Sequence, residues 1–86
     1  MTDILDTYTF DIDCIDLSYK RLTKLPDLTR FTKLKTLKCS YTNLKELDNL
    51  PNTLTTLCCN GNKLTRLSNL PNTLTYLDCE RNQLTK

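Results

Sequence analysis

Residues 34–53 read LKTLKCSYTNLKELDNLPNT, and residues 54–73 read LTTLCCNGNKLTRLSNLPNT. The two stretches agree at 11 of 20 positions without a gap, so internal repetition is the first thing to explain. Residues 74–86, LTYLDCERNQLTK, begin a further copy that agrees with 54–66 at seven of 13 positions. Upstream, residues 12–33 carry a 22-residue version through Ile12, Ile15, Leu17, Leu22, Leu25, Leu28 and Phe31. The shared frame is L-x-x-L-x-[L/C]-x-x-N-x-L-x-x-L-x-x-L-P. It divides the chain into units 12–33, 34–53, 54–73 and a partial 74–86, and leaves 1–11 as an N-terminal capping segment.

The frame has a physical reading. In Leu54-Thr-Thr-Leu57-Cys58-Cys59, the alternation of Leu57 and Cys59 is the period of a short strand with one face inward. The chain then turns at Asn60-Gly61-Asn62, where Gly61 takes positive φ at little cost. Leu64, Leu67 and Leu70 follow at three-residue spacing and would also suit a helix, but Leu70-Pro71 ends that stretch early and pushes Leu70 toward extended geometry. Little or no α-helix is therefore expected, and the returning side of each unit is read as extended or polyproline-like chain with a 3₁₀ turn. One unit cannot cover its own leucines. Neighbours must stack, and their short strands then form one parallel sheet.

The frame resembles the leucine-rich repeat, whose pattern is L-x-x-L-x-L-x-x-N/C-x-L at about 20–29 residues. The resemblance covers residues 12–86. Short units with L-x-x-L-P and an Asn-bearing turn look like the bacterial-type repeats of secreted effector proteins. The L-x-C-x-x-N strand with its N-L-P-N-T-L links also resembles leucine-rich-repeat proteins of giant DNA viruses. The resemblance implies a curved solenoid that binds a protein partner on its concave sheet. This chain departs from the pattern where the Asn position is Lys20 in the first unit and Thr42 in the second; only Asn62 and Asn82 fit. An Asn there satisfies backbone groups of the adjoining turn. The residues after Leu84 do not read as a polar cap, and the catalytic ligase domain of some effectors is not expected here.

Composition narrows the function classes. The chain has 18 Leu and 15 Thr but no Ala, Val, Trp or His. Without His, a Ser-His or Cys-His catalytic pair and a His-ligated metal are excluded. No P-loop or glycine-rich phosphate cradle is present, and Asp78 and Glu80 stand on a flat sheet rather than in a cleft, so no enzymatic activity is expected. No cofactor is implied. No apolar stretch approaches the length of a membrane span. Residues 1–16 hold five Asp and no base, the reverse of a secretory leader's basic start. With an odd count of five Cys, this points to a reducing compartment: the cytoplasm, or the host-cell cytoplasm for a viral or effector protein.

The cysteines fit the same picture. Cys39, Cys59 and Cys79 share one inward slot and read as small buried hydrophobes, whereas Cys14 and Cys58 face outward on strands too far apart to bridge. Three buried thiols in a row also lack the converging geometry of a zinc site.

The leucines fix the inward positions, so the outward ones fall in columns. One column is Cys14, Thr36, Thr56, Tyr76, and the next is Asp16, Lys38, Cys58, Asp78. Then come Ser18, Ser40, Asn60, Glu80, and last Tyr19, Tyr41, Gly61, Arg81. Tyr and Arg are enriched at binding hot spots, so Tyr19, Tyr41, Tyr76, Lys38, Asp78 and Arg81 are the candidate partner-binding residues. Cross-strand packing is the plainer reading of the same tyrosines.

Two alternatives remain. The free edge at Tyr76–Cys79 would suit a two-fold homodimer through Leu74, Tyr76, Leu77 and Leu84. The basic stretch 20–45, with Lys20, Arg21, Lys24, Arg30, Lys33, Lys35, Lys38 and Lys45, could attract nucleic acid, although a solvated outer face explains it as well. In the capping segment, Thr7-Tyr8-Thr9-Phe10-Asp11-Ile12 alternates, which predicts a short strand with Phe10 and Ile12 inward and the Asp residues in water.

Overall fold

The structure is a computed structural model and describes residues 5, 8–48, 50–67 and 70–84. Each sequence unit contributes one strand: β1 (Cys14–Asp16), β2 (Thr36–Lys38), β3 (Thr56–Cys58) and β4 (Tyr76–Asp78). They form one parallel sheet in the order β1-β2-β3-β4. Cys14 pairs with Thr36, Thr36 with Thr56, and Thr56 with Tyr76, so the register steps by 22 residues once and then by 20 twice. No helix is found among the described residues.

The strands are short because only their central residue must point inward. Ile15, Leu37 and Leu57 are fully buried, and Leu77 on the edge strand is half-buried. The other inward columns grade in the same way. Leu34 and Leu54 are buried between half-buried Ile12 and Leu74, and Cys39 and Cys59 lie between buried Leu17 and half-buried Cys79. Burying one such side chain is worth about 1.5–3 kcal/mol, so the middle of the stack carries most of the apolar stabilisation.

The returning chain uses isolated turns, and no 3₁₀ helix forms among the described residues. Leu54 N donates to Pro51 O, and Leu74 N to Pro71 O, both at 3.4 Å. The two extra residues of 12–33 make a double turn there, in which Phe31 N donates to Leu28 O and Leu34 N to Phe31 O, each at 3.1 Å. That detour drives Phe31 into the core, where it is 1% exposed. Threonine hydroxyls stitch the same side: Thr53 Oγ1 donates to Leu34 O at 2.7 Å and Thr73 Oγ1 to Leu54 O at 2.6 Å. Thr55 and Thr75 repeat the device, donating to Lys35 O and Thr55 O at 3.2 Å.

The N-terminal segment departs from the expected strand. Residues 8–12 form bends and turns, and Thr7 lies outside the described residues. Phe10 is 55% exposed instead of inward; its ring meets Phe31 edge-on at 5.3 Å, and the Arg30 guanidinium sits 5.9 Å above it. Ile12 is half-buried, and Asp11 and Asp13 face water. The physical reason is Tyr8. Its hydroxyl donates to Asp16 O at 3.2 Å and accepts from Asp16 N at 3.4 Å. One side chain thereby satisfies groups on the outer edge of β1 that a strand would otherwise have paired. An open groove of about 470 Å³ runs beside this segment, lined by Leu5, Tyr8, Phe10, Pro26, Asp27, Arg30 and Phe31.

Candidate functional site

The outward face of the sheet is built by the turn that follows each strand. Tyr19 N donates to Ser40 O, Tyr41 N to Asn60 O, and Gly61 N to Glu80 O, at 2.8–3.0 Å. These bonds line up Tyr19, Tyr41 and Gly61, and Arg81 follows in the last unit; all four lie in the left-handed region, with φ of 66°, 57°, 66° and 58°. Only Gly61 carries no steric cost there; a non-glycine residue costs roughly 1–2 kcal/mol. Asn43 joins them with φ of 72°.

The strain is held by a network behind the turn. Asn62 is 5% exposed, and its Oδ1 accepts from Thr42 N (2.9 Å), Thr42 Oγ1 (2.9 Å) and Leu44 N (3.0 Å). Its Nδ2 lies within reach of Cys39 O and Cys59 O at 3.0 Å and Asn60 O at 3.2 Å. Asn82 repeats the pattern, accepting from Leu64 N, with its Nδ2 within reach of Cys59 O, Cys79 O and Glu80 O. Thr42 takes part in the slot with a hydroxyl 3.0 Å from Cys39 O. At Lys20 the side chain is exposed, and the backbone serves instead: Lys20 N donates to Leu17 O, and Leu22 N to Thr42 O.

Of the candidate residues, the structure brings Tyr19 and Tyr41 together. Their rings stack with centroids 5.4 Å apart and planes 9° from parallel, while Tyr19 stays 77% and Tyr41 45% exposed. Beneath them, the Tyr41 ring lies over Gly61 so closely that a Cβ at 61 would overlap it. Arg81 ends the same column and is exposed. Lys38 and Asp78 share a column with Cys58 between them; Lys38 is exposed, and Asp78 accepts from Asn60 Nδ2 at 3.0 Å. Tyr76 is exposed but stands at the far corner, in the column of Cys14, Thr36 and Thr56. Of the residues proposed for a dimer edge, Leu74 and Leu77 are half-buried and Leu84 is 38% exposed.

The electrostatics of this face are mild. The Ser18 backbone N–H bonds Asp16 Oδ1 at 2.9 Å and holds that carboxyl below its ordinary 3.8, with smaller help from Lys38 and Lys20. Burial pushes the Cys58 thiol up, and Asp78 adds to it. Behind the sheet, burial raises Cys39 and pushes Cys59 up to about 12. Thiols held protonated in this way are poor nucleophiles. All five cysteines are free. Among the described residues no group of three His, Cys, Asp or Glu is placed to hold a metal ion, and no helix is long and apolar enough to cross a membrane.

The arrangement leaves a stacked aromatic pair exposed on the outward face of the sheet. Sequence reasoning missed the left-handed tyrosines; their alignment in one column with Gly61 was the available signal. Comparison with family models, curated proteins and solved structures found no match to the chain.

Proposed function

We propose that the chain is a leucine-rich-repeat solenoid that works as a protein–protein interaction module, with the outward sheet face as its concave binding surface. The stacked Tyr19–Tyr41 pair carries this reading. Two large aromatic rings are left exposed, at residues whose backbone conformation is unfavourable and held by inter-strand bonds. Rigid aromatics at a surface lose little entropy on binding, and Tyr and Arg are both enriched in hot spots. Lys38, Asp78 and Arg81 supply polar contacts around the pair, and Tyr76 extends the surface to the opposite corner. The module acts without catalysis, in the cytoplasm of the cell that makes or receives it.

Capture of a partner from native cells by the wild-type chain and by Tyr19→Ala/Tyr41→Ala tests the reading. Each Tyr lost from a hot spot should weaken binding by about 1–2 kcal/mol, so the double variant loses the partner while its melting curve stays cooperative. Equal capture by the double variant, and by the triple variant with Tyr76→Ala, would sink it. Light scattering on the same samples addresses self-assembly: a dimer broken by Leu84→Glu in place of any captured partner would favour that alternative.

A further inference from the structure

Folding rearranges the basic residues. After the turn, residues 20–24, 42–46 and 62–66 run side by side. Leu22 N donates to Thr42 O and Lys63 N to Leu44 O at 2.8 Å, and Lys45 N donates to Thr23 O at 3.4 Å. Lys20, Arg21, Lys24, Lys45, Lys63 and Arg66 are all exposed on these three lengths of chain, and Glu46 is the one acid among the same residues. Lys63 and Arg66 lie outside the basic stretch read from the sequence. Lys33 and Lys35, inside it, stand on the chain that leads into β2, where Lys35 N bonds to Asp13 O. The basic edge therefore crosses three units and begins directly after Tyr19, Tyr41 and Gly61.

We propose that the partner of this surface presents an acidic peptide segment, which packs an aromatic or aliphatic side chain on Tyr19 and lays its carboxylates along the edge formed by Arg21, Lys24, Lys45, Lys63 and Arg66. This rests on the protein-binding reading above and adds the partner's chemistry. One face of the Tyr19 ring is covered by Tyr41; at 77% exposure the remainder is open to a guest. Charge distribution selects peptide over nucleic acid. The chain carries a net charge of only +2 with a pI near 8.3, five Asp fall within residues 1–16, and Asp16, Asp78 and Glu80 share the sheet face with the tyrosines. A uniformly charged phosphate backbone meets repulsion there, whereas a peptide places charge only where bases stand.

Fluorescence polarisation with a labelled random copolymer of Glu and Tyr, against poly-Glu and a 20-nucleotide oligo-dT, tests the proposal. The copolymer should bind more tightly than either control and weaken severalfold between about 50 and 200 mM salt, as screening requires. Lys63→Glu/Arg66→Glu should weaken it on the order of tenfold, and Tyr19→Ala about fivefold or more. Lys33→Glu/Lys35→Glu, the same charge change off the edge, should leave binding as it was. Absent copolymer binding at low salt, equal loss in both charge variants, or tighter oligo-dT binding would each overturn it. A native partner lost by Tyr19→Ala/Tyr41→Ala yet kept by Lys63→Glu/Arg66→Glu would refute the acidic segment and leave the protein-binding reading standing.

Discussion

Asn62 and Lys20 hold the same place in the repeat frame, yet the chain around them is satisfied in opposite ways. At Asn62 a buried amide gathers three donors from the unit before it and reaches carbonyls of two units. At Lys20 no earlier unit leans on the position, and the backbone closes the turn alone through the bond to Leu17 O. Thr42 stands between these extremes, with its hydroxyl beside Cys39 O and its carbonyl serving Leu22 N. The slot is defined by the groups it must satisfy. An Asn is needed where a preceding turn presents N–H groups with nowhere else to go.

Breaking the stronger side of that comparison should have the largest effect. Asn62→Ala leaves several buried donors and acceptors unpaired, and at about 1–3 kcal/mol for each such group a loss of about 3–5 kcal/mol is expected in denaturant melts. Lys20→Ala should shift the same melts by less than about 0.5 kcal/mol, as ordinary surface changes do. Similar losses in the two variants would mean that the slot has a role other than hydrogen bonding.

Gly61→Ala comes next, at about 1–3 kcal/mol, since it adds a Cβ both to a left-handed residue and against the Tyr41 ring. The contrast with Tyr41 sharpens it: in a Tyr41→Ala background the overlap disappears and only the backbone part of the cost should remain. Tyr8→Phe removes the hydroxyl that bonds Asp16 at the β1 edge and should cost about 0.5–1.5 kcal/mol, with the ring contacts kept.

The smallest expected effect is on pH. The Asp16 carboxyl is held below 3.8 by the Ser18 N–H, so its contribution is present above that value and fades as pH falls through the lowered folded one. Melting temperature should therefore drop on acidification below about pH 4, and by less in Asp16→Asn; the exposure of the group keeps the difference slight. An identical acid profile for the variant would remove the Ser18 bond from the account.

The strand columns were legible because inward and outward positions alternate with the side-chain period. Cys14, Thr36, Thr56 and Tyr76 are paired in register as their spacing implies, and so are Asp16, Lys38, Cys58 and Asp78. The sign of φ at Tyr19 and Tyr41 was hidden, because bonds to the next unit accompany it and no local preference of Tyr announces it. The basic edge was hidden for a related reason: residues 20 apart in sequence become neighbours, while close ones such as Lys24 and Lys35 separate. The N-terminal segment misled through its alternation. A pattern of that kind specifies which side chains pair with an apolar face, but Tyr8 met the strand edge through its hydroxyl instead. The threonines carried their message in composition alone, as an abundance whose use appears only with their carbonyl partners.

Those threonines have a consequence for how such a chain grows. Thr53 and Thr73 reach back to Leu34 O and Leu54 O, and Thr55 and Thr75 to Lys35 O and Thr55 O, across 19 or 20 residues each time. Thr55 and Thr75 thus address the immediately preceding unit, while Thr53 and Thr73 tie the end of a unit to its own first residue. A tandem duplication of residues 54–73 at the gene level meets its predecessor with the acceptors already in place, and the segment after it finds the same surface as before. Lengthening in whole steps of twenty keeps each hydroxyl opposite its carbonyl, whereas extra residues between the two must be looped out, as the double turn at Leu28–Leu34 does in the 22-residue unit.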